Sequence, residues 1–433
     1  MQKKLLYPSI FLLILIPAIA IGLSPRQDVS PITGTPQADS YRESALAALP
    51  GNAPSQSALP AAILAPPKVD AKSVIIIDMA RGDILYEQNP DEVISPASLT
   101  KIMTMSLALE AVKSGKIGLL EHFDITKEDV TLPYRSALMY LKEGMSVPFE
   151  DLLKGMAVIS GNDGANSVAR ILAGNNDDFA ALMNREARRL GLSATSFVEP
   201  SGLSEHNLTS ARDMASLARS YLQRFPDALH NYHSLTYFNF PRADVMPGWM
   251  EKPAGKILLK ATNGLLFSYD GCDGLKTGYI DEAGYNLIAT AERDGTRIIS
   301  VSMGGTEGPA ARDRTGRTLL DWAFENWKTV KLPLPELDNA RVWGGSYKYA
   351  RLNYGEPGML TVPKKLSGSI KLRIDMDSDI KAPLEAGAIL GKAVVLSGET
   401  VLRRIDILND SDIPKGNLFV RMRDGLERLF RKG

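Results

Sequence analysis

Runs with strand character stand on both sides of one long stretch of helical periodicity, and that arrangement constrains the fold more than any other feature of the chain. Residues 74–79 and 84–86, joined by Arg81-Gly82-Asp83, read as two strands around a tight turn. Pro96-Ala97 then opens a helical pattern over 98–112. Apolar residues recur every three to four positions over 149–159, 166–172, 178–190, 210–223 and 312–327. Ahead of the last of these lie strand-like runs at 273–279, 285–291 and 297–303, the final two separated by the hairpin signal Glu292-Arg293-Asp294-Gly295. Helices flanked by strands from both directions predict an α/β fold: an antiparallel sheet with a helical subdomain. Beyond Val330 the pattern changes to short alternating runs, such as 370–374 and 393–396, punctuated by Gly and Pro. That spacing implies a small all-β module, a sandwich.

The two ends differ in kind from this body. Lys3 and Lys4 precede an apolar run from Leu5 to Ile21, interrupted at Tyr7, Pro8, Ser9 and Pro17, with Ala18-Ile19-Ala20 near its end. This is the pattern of an export signal over residues 1–23, with an uncleaved membrane anchor as the alternative. Residues 24–65 are rich in Pro, Ala, Ser and Gln and hold too little apolar surface to offset chain entropy, so a flexible linker is expected. Folded domains are expected at 66–330 and 331–413. In 414–433, Leu418, Phe419, Met422, Leu426, Leu429 and Phe430 fall on one face of a helix, and five basic residues oppose Asp424 and Glu427. Such a helix suits the surface of an anionic membrane, the partner expected for 417–433. The alternative is packing against its own domain.

Composition narrows the chemistry. Fifty Lys and Arg balance fifty Asp and Glu, so a nucleic-acid partner is not expected. The single cysteine, Cys272, excludes an intramolecular disulfide and a thiolate zinc cage, and is expected as a buried small hydrophobe. His122, His206, His230 and His233 form no HExxH pair. Neither a metal nor any other cofactor is expected.

Three short motifs follow in order: Ser98-Leu99-Thr100-Lys101 opening a helix, Ser160-Gly161-Asn162 between two helices, and Lys276-Thr277-Gly278 on a strand. Each is common alone, and the setting of all three together carries the signal. A serine hydroxyl is a poor nucleophile without a base in hydrogen-bond reach, and residues three apart share a helix face, so Lys101 stands beside Ser98. Desolvation and neighbouring cationic charge favour the neutral lysine that can act as that base. Lys276 supplies such charge and can attract an anionic substrate group. Ser160 is the candidate proton relay and Asn162 the candidate partner of a substrate amide. The backbone N–H groups of Ser98 and Tyr279 are the candidate oxyanion donors.

These motifs, with Ser160-Gly161-Asn162-Asp163, Ser201-Gly202-Leu203, Thr262-Asn263-Gly264-Leu265-Leu266 and Asp273-Gly274-Leu275-Lys276-Thr277-Gly278-Tyr279, make a sequence that resembles the low-molecular-mass penicillin-binding proteins. Those are the serine-type D-alanyl-D-alanine carboxypeptidases of bacterial cell-wall metabolism. The resemblance runs from about Pro66 to the C-terminus. It implies a fold like that of the serine β-lactamases and DD-peptidases, and acylation of Ser98 by peptidoglycan pentapeptide stems. Release of the last D-alanine and hydrolysis of the acyl-enzyme would follow. β-Lactam antibiotics are expected to acylate the same serine. Lys276, Thr277 and Gly278 would line the substrate, and Arg312 would meet its terminal carboxylate, with Arg314 and Arg317 close by in sequence. The implied location is the periplasmic face of the inner membrane. Tyr279 departs from the histidine some relatives carry, and the Pro-rich linker is not a core feature of the family. Three other readings stay open: a D,D-endopeptidase cutting crosslinks, a class A-like β-lactamase, and a non-catalytic wall-binding protein. Glu199 invites the second, but Pro200-Ser201-Gly202-Leu203 follows it, with no asparagine at the fourth place. Retention of both serines and both lysines argues against the third.

Overall fold

The computed structural model describes residue 65 and residues 67–356 and 358–431; the expected export segment and nearly all of the linker lie outside the described residues. The central element is an antiparallel sheet of β1 (Ser73–Asp78), β2 (Ile84–Gln88), β3 (Cys272–Ile280), β4 (Gly284–Arg293) and β5 (Thr296–Gly305). Its order is β2-β1-β5-β4-β3. β1 pairs with β5, Ile75 opposite Val301, so the start of the folded chain is joined to strands that arrive much later.

Both faces of this sheet are covered. Val74 and Ile76 of β1 point to one side with Leu287, Ala289 and Ile298, while Ile75 and Ile77 point to the other with Ile288, Ile299 and Val301. That is why these strands read as continuous apolar runs rather than alternations. Each large apolar side chain buried this way contributes about 1.5–3 kcal/mol. The second side is packed by α1 (Lys101–Lys113), α2 (Phe149–Val158), α3 (Asn162–Ala173), α4 (Asn176–Arg189) and α5 (Ala211–Arg224). Two of these helices are capped at the N-terminus by side chains, Asn175 accepting from the Asp178 N–H and Ser210 from the Asp213 N–H. On the first side lies α6 (Pro309–Asn326), through Leu319, Leu320 and Ala323.

Two details differ from the periodicity. α3 begins at Asn162, four residues before the stretch that periodicity marks, because its first turn buries the polar Asn162 and Asp163. The β4–β5 turn is only Asp294-Gly295, both at positive φ (50° and 72°), and Arg293 pairs with Thr296. A two-residue turn of that handedness matches strand twist, so both strands run on to it.

The chain continues into a small all-β region: β6 (Trp327–Lys331), β7 (Ala340–Arg341), β8 (Tyr349–Ala350), β9 (Leu352–Tyr354), β10 (Met359–Pro363), β11 (Ile370–Met376), β12 (Ile389–Ser397) and β13 (Thr400–Asn409). Four of them form a sheet in the order β9-β13-β12-β11, with β6-β10 and β7-β8 as two-stranded ribbons. Its core holds Leu360, Val362, Val395, Ile405 and Ile407. Polar contacts tie it to the main sheet. The Thr361 hydroxyl donates to the buried Asp78 carboxylate at 2.8 Å, and Arg81 and Arg403 each bridge Asp83 and Glu356. The last element is α7 (Leu418–Arg431).

Candidate active site

Ser98 lies in a single 3₁₀ turn, Ala97–Thr100, that runs straight into α1. The sequence predicts an α-helix from Ser98, and the tighter turn has a consequence: in a 3₁₀ turn side chains three apart eclipse one another. Lys101 Nζ accordingly sits 3.1 Å from Ser98 Oγ. Ala97 has φ +48°, and Ser160 of the second motif has φ +65°. Left-handed backbone at two non-glycine residues is strain that the surrounding packing must hold in place. Ser98 itself is half-buried.

Lys101 is fully buried at the head of α1 and hydrogen-bonds three groups: Ser98 Oγ, Asn162 Oδ1 at 2.6 Å and the Ser201 carbonyl at 2.6 Å. Burial pushes its ammonium down to about 7, against the opposing pull of the Glu199 and Asp163 carboxylates. A neutral lysine has two N–H donors and one lone pair. The two carbonyl-type acceptors at 2.6 Å take the donors, which leaves the lone pair for the Ser98 hydroxyl.

The second motif lies between α2 and α3. The Ser160 hydroxyl is buried and makes no hydrogen bond among the described residues. Next to it, Asp163 accepts from the backbone N–H groups of Met139, Leu141 and Gly164, and the Asn162 N–H donates to the Ala137 carbonyl. These bonds fix the 137–141 loop against α3. Burial raises the Asp163 carboxyl, and the three N–H donors oppose that rise.

The third motif is on β3. Lys276 is fully buried, donates to the Thr277 carbonyl at 2.8 Å, and is pushed well below its ordinary value by burial and then by the charges of Lys101 and Arg312. Thr277 Oγ1 lies 2.8 Å from Thr262 Oγ1, and Arg312 Nη2 donates to the Thr262 carbonyl at 3.0 Å while its guanidinium also pairs with Asp313. Of the three neighbouring arginines, Arg312 is the buried one; Arg314 is exposed and Arg317 is engaged with Ser268. A Cβ on Gly278 would fall 2.8 Å from the Pro96 carbonyl and 3.1 Å from the Ser98 nitrogen, so the strand backbone passes directly against the Ser98 amide. Tyr279 is exposed, stacks on Tyr285 at 4.3 Å, and donates its hydroxyl to Asp281. The structure therefore brings Ser98, Lys101, Asn162 and the Lys276-Thr277-Gly278 strand together, with Thr262 linking Arg312 to that strand. Cys272 lies at the start of β3, half-buried rather than buried as expected, because the strand begins at the edge of the core there, and desolvation pushes its thiol up to about 11.

Sequence reasoning named Glu199 only as a possible deacylating carboxylate, and missed three other supporting side chains. Glu199 spends its carboxylate on the Ser201-Gly202 loop, accepting from the Ser201 and Gly202 N–H groups, the Ser201 hydroxyl and Asn207 Nδ2. That loop presents the Ser201 carbonyl to Lys101. Asn207 also donates to Thr100 Oγ1, and the buried Asn286 joins the Ser95 carbonyl to the Gly304 N–H. His233, pushed down to about 3 by burial, lies between Tyr221 and the Leu275 carbonyl and supports β3 from beneath. Only Ser201-Gly202-Leu203, in the quoted motifs, hinted at the first of these.

Comparison with known proteins gives the same direction. The sequence model described as D-alanyl-D-alanine carboxypeptidase matches residues 61–307, and that of the penicillin-binding protein 5 C-terminal domain matches 335–415. The D-alanyl-D-alanine carboxypeptidase DacF of Bacillus subtilis is 33% identical over 350 residues, 80% of this chain and 86% of that protein. DacC of Escherichia coli is 33% identical over 378 residues, 84% of this chain and 90% of its own. Among solved structures, penicillin-binding protein 5 from Haemophilus influenzae superposes with a TM-score of 0.72 at 31% identity, covering 81% of this chain and all of that one. With residues of all three motifs meeting around Ser98 and Lys101, and with these matches extending through the all-β region, the chain belongs to the serine-type D-alanyl-D-alanine carboxypeptidase family of low-molecular-mass penicillin-binding proteins.

Proposed function

We propose that the protein removes the terminal D-alanine from peptidoglycan pentapeptide stems through an acyl-enzyme on Ser98, and that β-lactams acylate the same oxygen. The observation that carries this reading is the buried Lys101 amine held against Ser98 Oγ by two other acceptors. Ser98 Oγ attacks the carbonyl carbon of the penultimate D-alanine and gives its proton to Lys101 Nζ. The developing oxyanion meets the backbone N–H groups of Ser98 and Tyr279. Collapse breaks the C–N bond, and Ser160 Oγ relays a proton to the leaving amine. Water then releases the shortened stem and regenerates Ser98. Asn162 Nδ2 is available to the substrate amide because Oδ1 already serves Lys101. Lys276, Thr277, Gly278 and Arg312 hold the substrate's C-terminal end.

Engagement of the Glu199 carboxylate with the 201–202 loop disfavours the β-lactamase reading, which needs a carboxylate directed at the deacylating water. Mass spectrometry after incubation with penicillin and with a D-Ala-D-Ala peptide tests the proposal. A stable penicillin adduct on Ser98 and release of free D-alanine are expected, and Ser98→Ala should abolish both. Persistence of both in that variant overturns the proposal. Loss of crosslinked dimers without D-alanine release from monomeric stems would instead identify an endopeptidase.

We also propose the organisation 66–330 and 331–413 for the two folded domains, and a location on the outer face of the inner membrane. The matches to 61–307 and 335–415 support the division. Among the described residues no helix is long and apolar enough to cross a membrane. α7, with Leu418, Phe419, Met422, Leu426 and Phe430 exposed, is read as a helix lying on an anionic membrane surface.

A further inference from the structure

α7 is held to the all-β region by its polar side. The buried Asp424 accepts from the Gly344 N–H at 2.8 Å and from Arg341 Nη2 at 3.0 Å, and Arg428 pairs with Asp379. At about 100° per residue, Leu418, Met422, Leu426 and Phe430 lie on the side of the helix away from Asp424. The apolar face is thus turned outward by a fixed contact, with Phe430 86% exposed. What α7 docks against is the hairpin between β7 and β8, closed by the Val342 N–H donating to the Lys348 carbonyl at 3.0 Å. The Gly416 N–H donates to the Gly344 carbonyl at 2.9 Å and the Ser346 N–H to the Pro414 carbonyl at 2.8 Å. Hairpin tip and helix start are therefore one hydrogen-bonded unit.

The returning arm of this hairpin exposes two tyrosines around a lysine: Tyr347 at 65%, Tyr349 of β8 at 51%, and Lys348 with its Nζ 5.6 Å from the Tyr349 ring. A cleft lined by Lys348, Tyr349, Glu427 and Phe430 joins this arm to the end of α7. Lys348, Lys415 and Arg421 are exposed on this part of the molecule, while the acidic Asp424 is paired with Arg341 and Arg423, and Glu427 with Arg341. The surface is aromatic, apolar and basic.

We propose that the returning arm of the hairpin, Tyr347, Lys348 and Tyr349, is a second membrane-contacting element, entering the headgroup layer of an anionic bilayer beside the apolar face of α7. Tyrosine, with an apolar ring and a polar end, suits that layer, and each nearby lysine or arginine adds attraction to anionic headgroups. The inference rests on the reading of α7 as a membrane-surface helix. It adds a point of contact off the helix axis, which fixes how the all-β region tilts on the bilayer.

Environment-sensitive fluorophores placed singly in the full chain through Ser346→Cys and Met422→Cys, in a Cys272→Ala background, test it. Each label reports its own element, separately from anything residues 1–23 contribute. Vesicles of phosphatidylglycerol and phosphatidylcholine should shift both labels to shorter wavelength, and quenchers on the lipid chains should quench both. Pure phosphatidylcholine should give a weaker response at 346, and Lys348→Glu should abolish the difference. The double variant Tyr347→Ser, Tyr349→Ser should lower quenching at 346 at least fivefold while penicillin acylation of Ser98 stays unchanged. Quenching at 422 with none at 346 overturns the hairpin contact and leaves the α7 reading standing. Quenching at neither site overturns both.

Discussion

At the scale of single residues, the protonation of Lys101 is the controlling quantity. Its amine, pushed down to about 7 by burial, is neutral above that pH and charged below it. A charged Lys101 has no lone pair for the Ser98 proton, so the acylation rate with penicillin should rise with pH around a midpoint near 7 and flatten above it. A midpoint near the ordinary lysine value of 10.5 would show that burial does not lower the Lys101 amine, and a rate independent of pH would remove Lys101 as the base. Arginine stays charged at every accessible pH, so Lys101→Arg should slow acylation by about 10²- to 10⁴-fold. Stopped-flow acylation kinetics measure both. The Ser98–Lys101 pair was legible because three-residue spacing is a local rule. Glu199, Asn207 and Asn286 were not, because each binds backbone groups of loops or strands that only the folded chain brings near. A lone Asn or Glu in a sequence carries no mark of the carbonyl or N–H it will meet.

At the scale of elements, the site is a junction between one strand and one 3₁₀ turn. Gly278 is the point where β3 passes the turn, and a methyl there meets the Pro96 carbonyl and Ser98 nitrogen rather than a movable side chain. Gly278→Ala should therefore destabilise the fold by about 1–3 kcal/mol and slow acylation by more than that loss of stability explains. Denaturant unfolding alongside acylation kinetics separates the two effects, and unchanged acylation would show that the turn does not depend on the strand. The strands themselves were legible from their apolar runs. The early start of α3 was not, since Asn162 and Asp163 bury polar atoms for the site and break the apolar periodicity that marks the rest of the helix.

Across the whole molecule, the main sheet and the all-β region share a buried polar contact. Asp78, raised by burial and by the Asp83 charge, accepts from the Thr361 hydroxyl, which also meets Thr329. A carboxyl whose folded value lies above its unfolded value contributes most below the unfolded value of 3.8 and loses that contribution as pH rises through the folded value. At neutral pH the Thr361 donor thus offsets a cost. Thr361→Val should lower stability by about 1–3 kcal/mol at pH 7, less near pH 4, and leave Ser98 acylation unchanged. Unfolding curves at the two pH values measure this, and a loss independent of pH would separate Thr361 from the Asp78 charge. That two folded regions exist was legible from the change of pattern after Val330. Their mutual contact was not, because Asp78 and Thr361 stand 283 residues apart and share no local signal.

The pairing of β1 with β5 also sets a timetable. A chain that emerges N-terminus first delivers Ser98 and Lys101 early, yet β1 has no partner on its β5 side until residues 296–305 have followed, and β3 reaches the serine only once residue 280 is out. Contacts so distant along the chain close slowly. During that interval the serine has neither its strand nor its buried lysine environment, so a half-emerged chain carries the nucleophile without its reactivity and becomes an enzyme only when nearly all of the sheet has arrived.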